Sequence, residues 1–253
     1  MLNSLALALL STFGATDSTA DPIPGVVWNA RNVEHLLNRA TFGARTDEVD
    51  AGIAAGPEAL VDRLLNVRAD IEEPFIEPLT EPNSRAYKEL SAEDQKQLKR
   101  DYAQRERTQQ VECITWWIDR MAKGDDPLLD RMTLFWHGLL TSSTDQVKRS
   151  YPLVEQNRFL RRNALGSYSD LLQGIAKDPA MLLFLNNNSN RKGNPNENFA
   201  RELLELFSLG IGNYTETDIK EAARALTRPI HEQQSEALSH ASESLHVGFE
   251  RAA

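Results

Sequence analysis

Cysteine is almost absent from this chain. Cys113 is the only one in 253 residues, so no disulfide can form within one copy. It lies in VECITWWIDR, where helical spacing sets it near Trp116 and Trp117, and it reads as a small buried hydrophobe. A thiol nucleophile needs a base beside it, and no local motif supplies one. Strand signals are as scarce: Val26-Val27-Trp28 is the one β-like cluster, and Pro24-Gly25 before it favours a loop. Positive charge is in deficit, with 28 Lys and Arg against 37 Asp and Glu and a net charge of −9. That balance argues against a nucleic acid held mainly through its phosphates and against an anionic membrane surface. The basic group Arg158, Arg161 and Arg162 reads as the solvated face of one helix. The apolar run Leu5 to Leu10 is far too short to span a bilayer, so no transmembrane segment is expected. HExxH, CxxC and GxSxG are all missing.

Residues 1–28 form an N-terminal segment of their own. The Leu5 to Leu10 run followed by Ser18-Thr19-Ala20 has the form of a signal peptide cleaved after Ala20, although no Lys or Arg precedes it. This predicts a periplasmic or secreted protein. The alternative is a short N-terminal helix on a cytoplasmic protein.

What the chain does have is helical pattern. Its composition, 41% apolar and 26% charged, is that of an ordinary soluble globular protein. Val33, Leu36, Leu37 and Ala40 repeat at helical spacing. Thr46-Asp47-Glu48 opens a second helix with acids in its first turn. Gly56-Pro57 starts a third, with Leu60, Leu64 and Leu65 inward. The proline-rich stretch 71–82 reads as a loop. Ser91 and Asp94 cap a long helix whose first half, KQLKRDYAQRERTQQ, is an exposed charged arm. That helix turns apolar at Val111, Ile114, Trp117, Ile118 and Met121. Asp126-Pro127 starts LLDRMTLFWHGLL, apolar nearly all round and therefore expected at the centre of the core. A helix over 147–165, a capping box at Ser167 to Asp170 and a start at Asp178-Pro179 follow. The expectation is an all-α protein: one irregular multi-helix domain of about ten helices over 29–227, with a polar tail over 228–253. No repeat of fixed period appears.

Polar chemistry concentrates between Asn186 and Thr227. Asn186, Asn188, Asn190, Lys192, Asn194 and Glu197 fall at the 1, 3, 5, 7, 9 and 12 spacing of an EF-hand loop. The loop has no Asp, however, and Gly193 stands at position 8 instead of 6, so a hydrogen-bonded asparagine turn is the better reading. Asn194-Pro195-Asn196-Glu197 has the form of a helix cap. In the helix that follows, Phe199, Leu203, Leu206 and Phe207 form one apolar face. Glu197, Arg201 and Glu205 are successive i,i+4 neighbours, and Asn198, Glu202 and Glu205 share a face with them. Carboxylates so placed serve acid–base work or metal ligation when the site is dry, and ordinary ion pairs when it is wet. Gly210 and Gly212 lie between helices and follow no strand, so they make no nucleotide-binding loop. Thr215 to Asp218 cap a last helix carrying Ile219, Ala222, Ala223 and Leu226 inward. Of the histidines, His35 and His137 lie in apolar surroundings, and His137 is the candidate catalytic or metal-ligating imidazole.

Several blocks together carry a family resemblance: HLLNRATFGAR (35–45), RMTLFWHGLLTSS (131–143), LRRNALGSYSDLL (160–172), DPAML (178–182) and KGNPNENFARELLELFSLGIGNYTETDIKEAARALT (192–227). Over residues 33–227 the chain resembles the bacterial domain-of-unknown-function family numbered 1800. The resemblance implies a largely helical, often exported protein and brings no established activity. Members commonly read FWHxHF, and here Leu139 replaces the second histidine after His137. Members also continue past ALTGW into a second half, whereas this chain has Arg228-Pro229 and a polar tail. A truncated or frameshifted product is the expectation.

Two functions follow. In the first, the chain is an exported helical protein of no established activity, whose His137, Glu202, Glu205 and Arg201, with Asn196, Glu197 and Asn198, form a vestigial or partial active or metal site; its enzyme form would carry out an acid–base or metal-assisted reaction. In the second, the chain is a non-catalytic binding or assembly module, and its acidic helix and the charged arm contact a protein partner. Nothing in the sequence specifies a cofactor or an oligomeric state.

Overall fold

The computed structural model describes residues 27–67, 74, 76–191 and 193–227. The N-terminal segment to Val26, residues 68–73, Phe75, Lys192 and the tail from Arg228 lie outside the described residues, and the signal-peptide and tail expectations lie there with them. Among the described residues the protein is all-α, with twelve α-helices, one 3-10 turn and no strand. The described residues fall into two compact units, one of 27–67 with 126–128 and one of the described residues from 74 to 125 and from 129 to 227.

The first unit is three helices. In α1 (Ala30–Ala40) the Asn29 side chain accepts from the Asn32 N–H at 3.1 Å, which satisfies one of the unpaired donors of the first turn. In α2 (Thr46–Ala55) Glu48 reaches back to the Arg45 N–H at 3.1 Å. Gly56, at φ +85°, turns the chain into α3 (Pro57–Leu65), a conformation that glycine adopts without strain. Val33, Leu37, Leu60 and Leu64 form the core, with Trp28 and Val49 against it. Trp28 Nε1 donates to the Gly52 carbonyl at 3.1 Å. Two expectations fail here. Leu65 is exposed, and His35 is exposed on the polar side of α1. A short helix such as α3 has room for only one inward stripe, and Leu60 and Leu64 fill it.

The second unit contains α4 (Arg85–Lys88), α5 (Ala92–Lys123) and the body of α6 (Pro127–Leu139), then α7 (Thr144–Val147) and α8 (Ser150–Asn163). After these come α9 (Tyr168–Ile175), α10 (Pro179–Phe184), the 3-10 turn Asn187–Ser189, α11 (Asn198–Glu205) and α12 (Glu216–Ala225). The helix expected over 147–165 is α8, which starts only at Ser150, while Val147 ends the separate short α7. Lys148 takes a left-handed conformation, φ +55°, and Arg149 is extended. The main core gathers Leu140, Leu160, Leu171, Ile175, Met181 and Phe199. A smaller one, Ala200, Ile219 and Ala223, joins α11 to α12, as the spacing in α12 predicts.

The 32-residue α5 is anchored through its polar half. Ser91 Oγ accepts from the Asp94 N–H at 3.2 Å and opens the helix. Glu106 is buried, and its Oε2 accepts from the Ser150 N–H at 2.7 Å and from Ser150 Oγ at 2.6 Å. A carboxylate on one helix thus caps the start of another, α8, where unpaired amides and the helix dipole favour negative charge. Gln109 completes the joint, donating to Ser150 Oγ at 2.9 Å and accepting from the Glu77 N–H at 2.7 Å.

The apolar half of α5 and the body of α6 depart from expectation. Val111, Ile114 and Ile118 stand 55%, 50% and 57% exposed. On α6, Leu129, Asp130 and Thr133 are buried, while Leu134, Phe135 and Leu139 are exposed. So α6 is not buried all round. Its inner face carries an ion pair instead: Asp130 is enclosed, bonded by Arg161 and approached by Arg120 Nε at 3.5 Å. Arg120 and Arg161 both lie over the Trp116 ring, at 5.9 and 5.4 Å from its centroid. Arg161, expected on a solvated face, is therefore a buried structural cation.

Candidate functional site

The asparagine loop is built of hydrogen bonds between its own members. Asn186 is left-handed (φ +56°) and leads into the 3-10 turn. Asn190 is buried; its amide nitrogen donates to Asn187 Oδ1 at 3.1 Å and to the Ala223 carbonyl of α12 at 2.8 Å, and its oxygen accepts from the Asn196 N–H at 3.0 Å. Asn196 donates to the Asn186 carbonyl at 3.1 Å and to Ser189 Oγ at 2.6 Å, and accepts from the Asn198 N–H at 3.0 Å. Asn198 donates to the Leu185 carbonyl at 3.0 Å. The side-chain oxygen of Asn190, at position 5 of the EF-hand spacing, is thereby engaged by the Asn196 N–H, in keeping with an asparagine turn.

The cap expected over Asn194 to Glu197 does not form. Helix α11 begins at Asn198, Glu197 makes no side-chain cap bond, and Asn194 is held in an isolated bridge with Arg191. It is Asn196 that meets the first turn of α11. Phe199 and Phe207 are buried as expected, and Leu203 packs on the core, but Leu206 is 60% exposed.

On the other face Arg201 collects carboxylates. Glu216, the first residue of α12, takes the guanidinium by two bonds, Nη1 to Oε1 at 3.0 Å and Nη2 to Oε2 at 2.8 Å. Glu197 and Glu205 approach at 3.4 and 3.6 Å. The bond to Glu216 raises the Arg201 pKa above its ordinary value, and the same bond lowers that of Glu216. A hydrogen bond to Glu205, then burial, pushes the Tyr214 phenol up to about 12. Glu202 enters no ion pair with a described residue. The cluster sits at the surface, with Glu216 68% exposed. Its arrangement is a guanidinium clamp that ties α11 to the first turn of α12, with bidentate geometry that Arg favours. Sequence reasoning found Glu197, Arg201 and Glu205 and missed Glu216 and Tyr214; the capping box Thr215 to Asp218 was the one signal that placed an acid at that helix start.

His137 stands elsewhere. It lines a cavity of about 320 Å³ bounded by α5, α6, the 142–144 turn and α8. No Asp, Glu, Lys or Arg is among the lining residues, so the cavity does not bring His137 to Glu202, Glu205 or Arg201. The imidazole meets Trp117 edge to face, ring centroids 5.0 Å apart. Its Nδ1 is enclosed without a hydrogen-bond partner, and so is Trp117 Nε1. Burial lowers the imidazole pKa, keeping the ring neutral. Cys113 shares the cavity, and burial pushes its thiol up to about 11, so it is a neutral thiol at physiological pH. Among the described residues no three His, Cys, Asp or Glu side chains converge to hold a metal ion. No described helix is long and apolar enough to cross a membrane.

Among the described residues, the fold and these two places define a helical protein with a surface ion-pair clamp and a separate neutral cavity. The family model described as protein of unknown function, DUF1800, matches residues 35–237, and the chain belongs to that family. No curated protein and no solved structure matches it.

Proposed function

We propose that this chain is a non-catalytic binding and assembly module that contacts a protein partner through α5. The observation that carries this reading is the run of Val111, Ile114 and Ile118, each at least half exposed, at i, i+3 and i+7 on one helix face. Burying such a side chain fully contributes about 1.5–3 kcal/mol, and an apolar stripe left on a surface helix is the usual form of a protein contact. The charged arm from Lys96 to Gln110 precedes the stripe on the same helix, with residues of both signs. An apolar contact with a charged flank on one rigid rod is suited to a helical partner of matching pattern. The acidic helix α11 contributes less than its sequence promised, because Glu197 and Glu205 are drawn to Arg201.

A photo-crosslinking residue at position 118 of the full chain, expressed in the native cell, tests this. One discrete heteromeric product is expected, and Val111→Asp with Ile118→Asp, helical content unchanged, abolishes its co-purification. No discrete product, or the same partner retained by the double variant, overturns the reading.

A further inference from the structure

The cavity beside His137 has features that contact with a protein along α5 does not explain. Its walls are the indoles of Trp116 and Trp117 with Leu153 and Val154, and its polar points are neutral groups such as Ser142 and Asn157. A volume of about 320 Å³ lies at the lower end of the range that small-molecule sites occupy, and an apolar lining with a few polar groups is their usual composition. Two facts make it more than a packing gap. Trp117 Nε1 and His137 Nδ1, on rings that line the cavity and touch each other, are enclosed without partners. A buried polar atom left unpaired is costly, and native proteins carry few of them. No charged side chain lines the cavity, although Arg158 bonds the carbonyl of the lining residue Pro74 at 3.2 Å. Arg161 lies over the Trp116 ring and is bonded to Asp130, Glu106 is bonded to Ser150, and none of these three charged residues lines the cavity.

We infer that this cavity is a binding site for a small neutral ring compound bearing one carbonyl or hydroxyl oxygen, held between Trp116, Trp117 and His137. The ring packs on the indole faces, where aromatic contact adds to simple burial. The oxygen, after a small rotation of either ring, accepts from Trp117 Nε1 or pairs with the imidazole, giving these atoms the partner that the protein does not. A formal charge on the ligand is disfavoured, since it would be desolvated in a lining that supplies no countercharge. The site goes beyond the protein contact proposed above: Ile114 belongs both to the stripe and to the cavity lining, whereas Val111 and Ile118 line no part of the cavity, so the two readings are tested at different residues.

The full chain is titrated with benzamide and phenol, and with benzoate and benzylammonium as charged counterparts. Ligand-observed NMR and tryptophan fluorescence give affinity, and the ring signals of labelled histidines give location, His137 being assigned by its loss in His137→Gln. The neutral pair is expected to bind at least about tenfold more tightly than the charged pair, and to move the His137 signal and no other histidine's. Asn157→Phe, which fills the cavity from α8, abolishes both effects. Equal binding of charged and neutral compounds overturns the inference. So does an unmoved His137 signal, or undiminished binding by folded Asn157→Phe. Should that variant fail to fold, the wild-type charge preference and the His137 signal decide alone.

Discussion

Lowering the pH should stabilise the second unit through Asp178. This residue precedes α10 and is 6% exposed, and its Oδ1 accepts from the Met181 N–H at 2.8 Å and from Gln156 Nε2 at 2.7 Å. Those bonds favour the carboxylate, but burial outweighs them and pushes the carboxyl up to about 7. In the unfolded chain the same group titrates near 3.8. Between those two values the folded protein holds a proton that the unfolded chain has released. The folded state binds more protons, so stability falls as pH rises through this window and is greatest below it. The full difference corresponds to ~4 kcal/mol, of which ~3 kcal/mol falls between pH 5 and pH 8. Asp178→Asn keeps the capping oxygen and the shape but cannot titrate. Urea unfolding at pH 5 and pH 8 is compared for the parent chain and the Asp178→Asn variant, both carrying Trp28→Phe so that fluorescence reports the second unit. The variant should gain on its parent by ~3 kcal/mol on going from pH 5 to pH 8. A gap constant with pH would refute the reasoning. A gap of opposite sign would mean that the bonds from Met181 and Gln156 outweigh desolvation.

Three further outcomes follow from the packing. Glu106→Ala removes the acceptor at the start of α8 and should cost ~1–3 kcal/mol in urea unfolding; a cost near zero would show that Ser150 is satisfied by solvent. Gly174→Ala should destabilise by ~2 kcal/mol or more, because a Cβ there would lie 1.9 Å from Phe159 Cζ; recovery in Gly174→Ala with Phe159→Leu distinguishes this clash from a change in helix propensity. Asp130→Ala leaves Arg161 buried without its carboxylate and should cost ~3–5 kcal/mol, measured by the same unfolding, whereas Asp130→Ala with Arg161→Met should recover most of that loss.

Much of the helical plan was legible because its signals are local. Ser91, Asp178 and Thr215 each cap a helix through a side-chain oxygen that meets an N–H three residues on, and a capping residue can be recognised within such a window. What was not legible depends on partners far along the chain. Glu106 bonds Ser150 from 44 residues away, and Asn190 bonds Ala223 from 33; nothing near Glu106 distinguishes it from the exposed charges of the same arm. The same limit explains Asn194, a good cap by sequence, which the bridge to Arg191 holds short of α11. Apolar periodicity misled for a different reason. It shows that Val111, Ile114 and Ile118 share a face, but not whether anything covers that face.

The candidate site divides along this line. Composition drew attention to Asn186–Thr227, where polar side chains are dense, yet in the structure most of those groups are engaged in building the segment. Asn190 and Asn196 fasten the loop, and Arg201 fastens α11 to α12 through Glu216. Dense polar sequence therefore marks a place where irregular backbone must be satisfied, which the chain between α10 and α11 requires. Unsatisfied groups are the better guide to recognition, and two of them, on His137 and Trp117, belong to rings in contact in one of the more apolar stretches of the chain. The sequence singled out His137 alone, not its pairing with Trp117, because an imidazole and an indole on separate helices form no pattern until α5 and α6 are laid side by side. Their lack of partners is a property of the fold, and it moves the search for a ligand from the acidic helix to the neutral cavity.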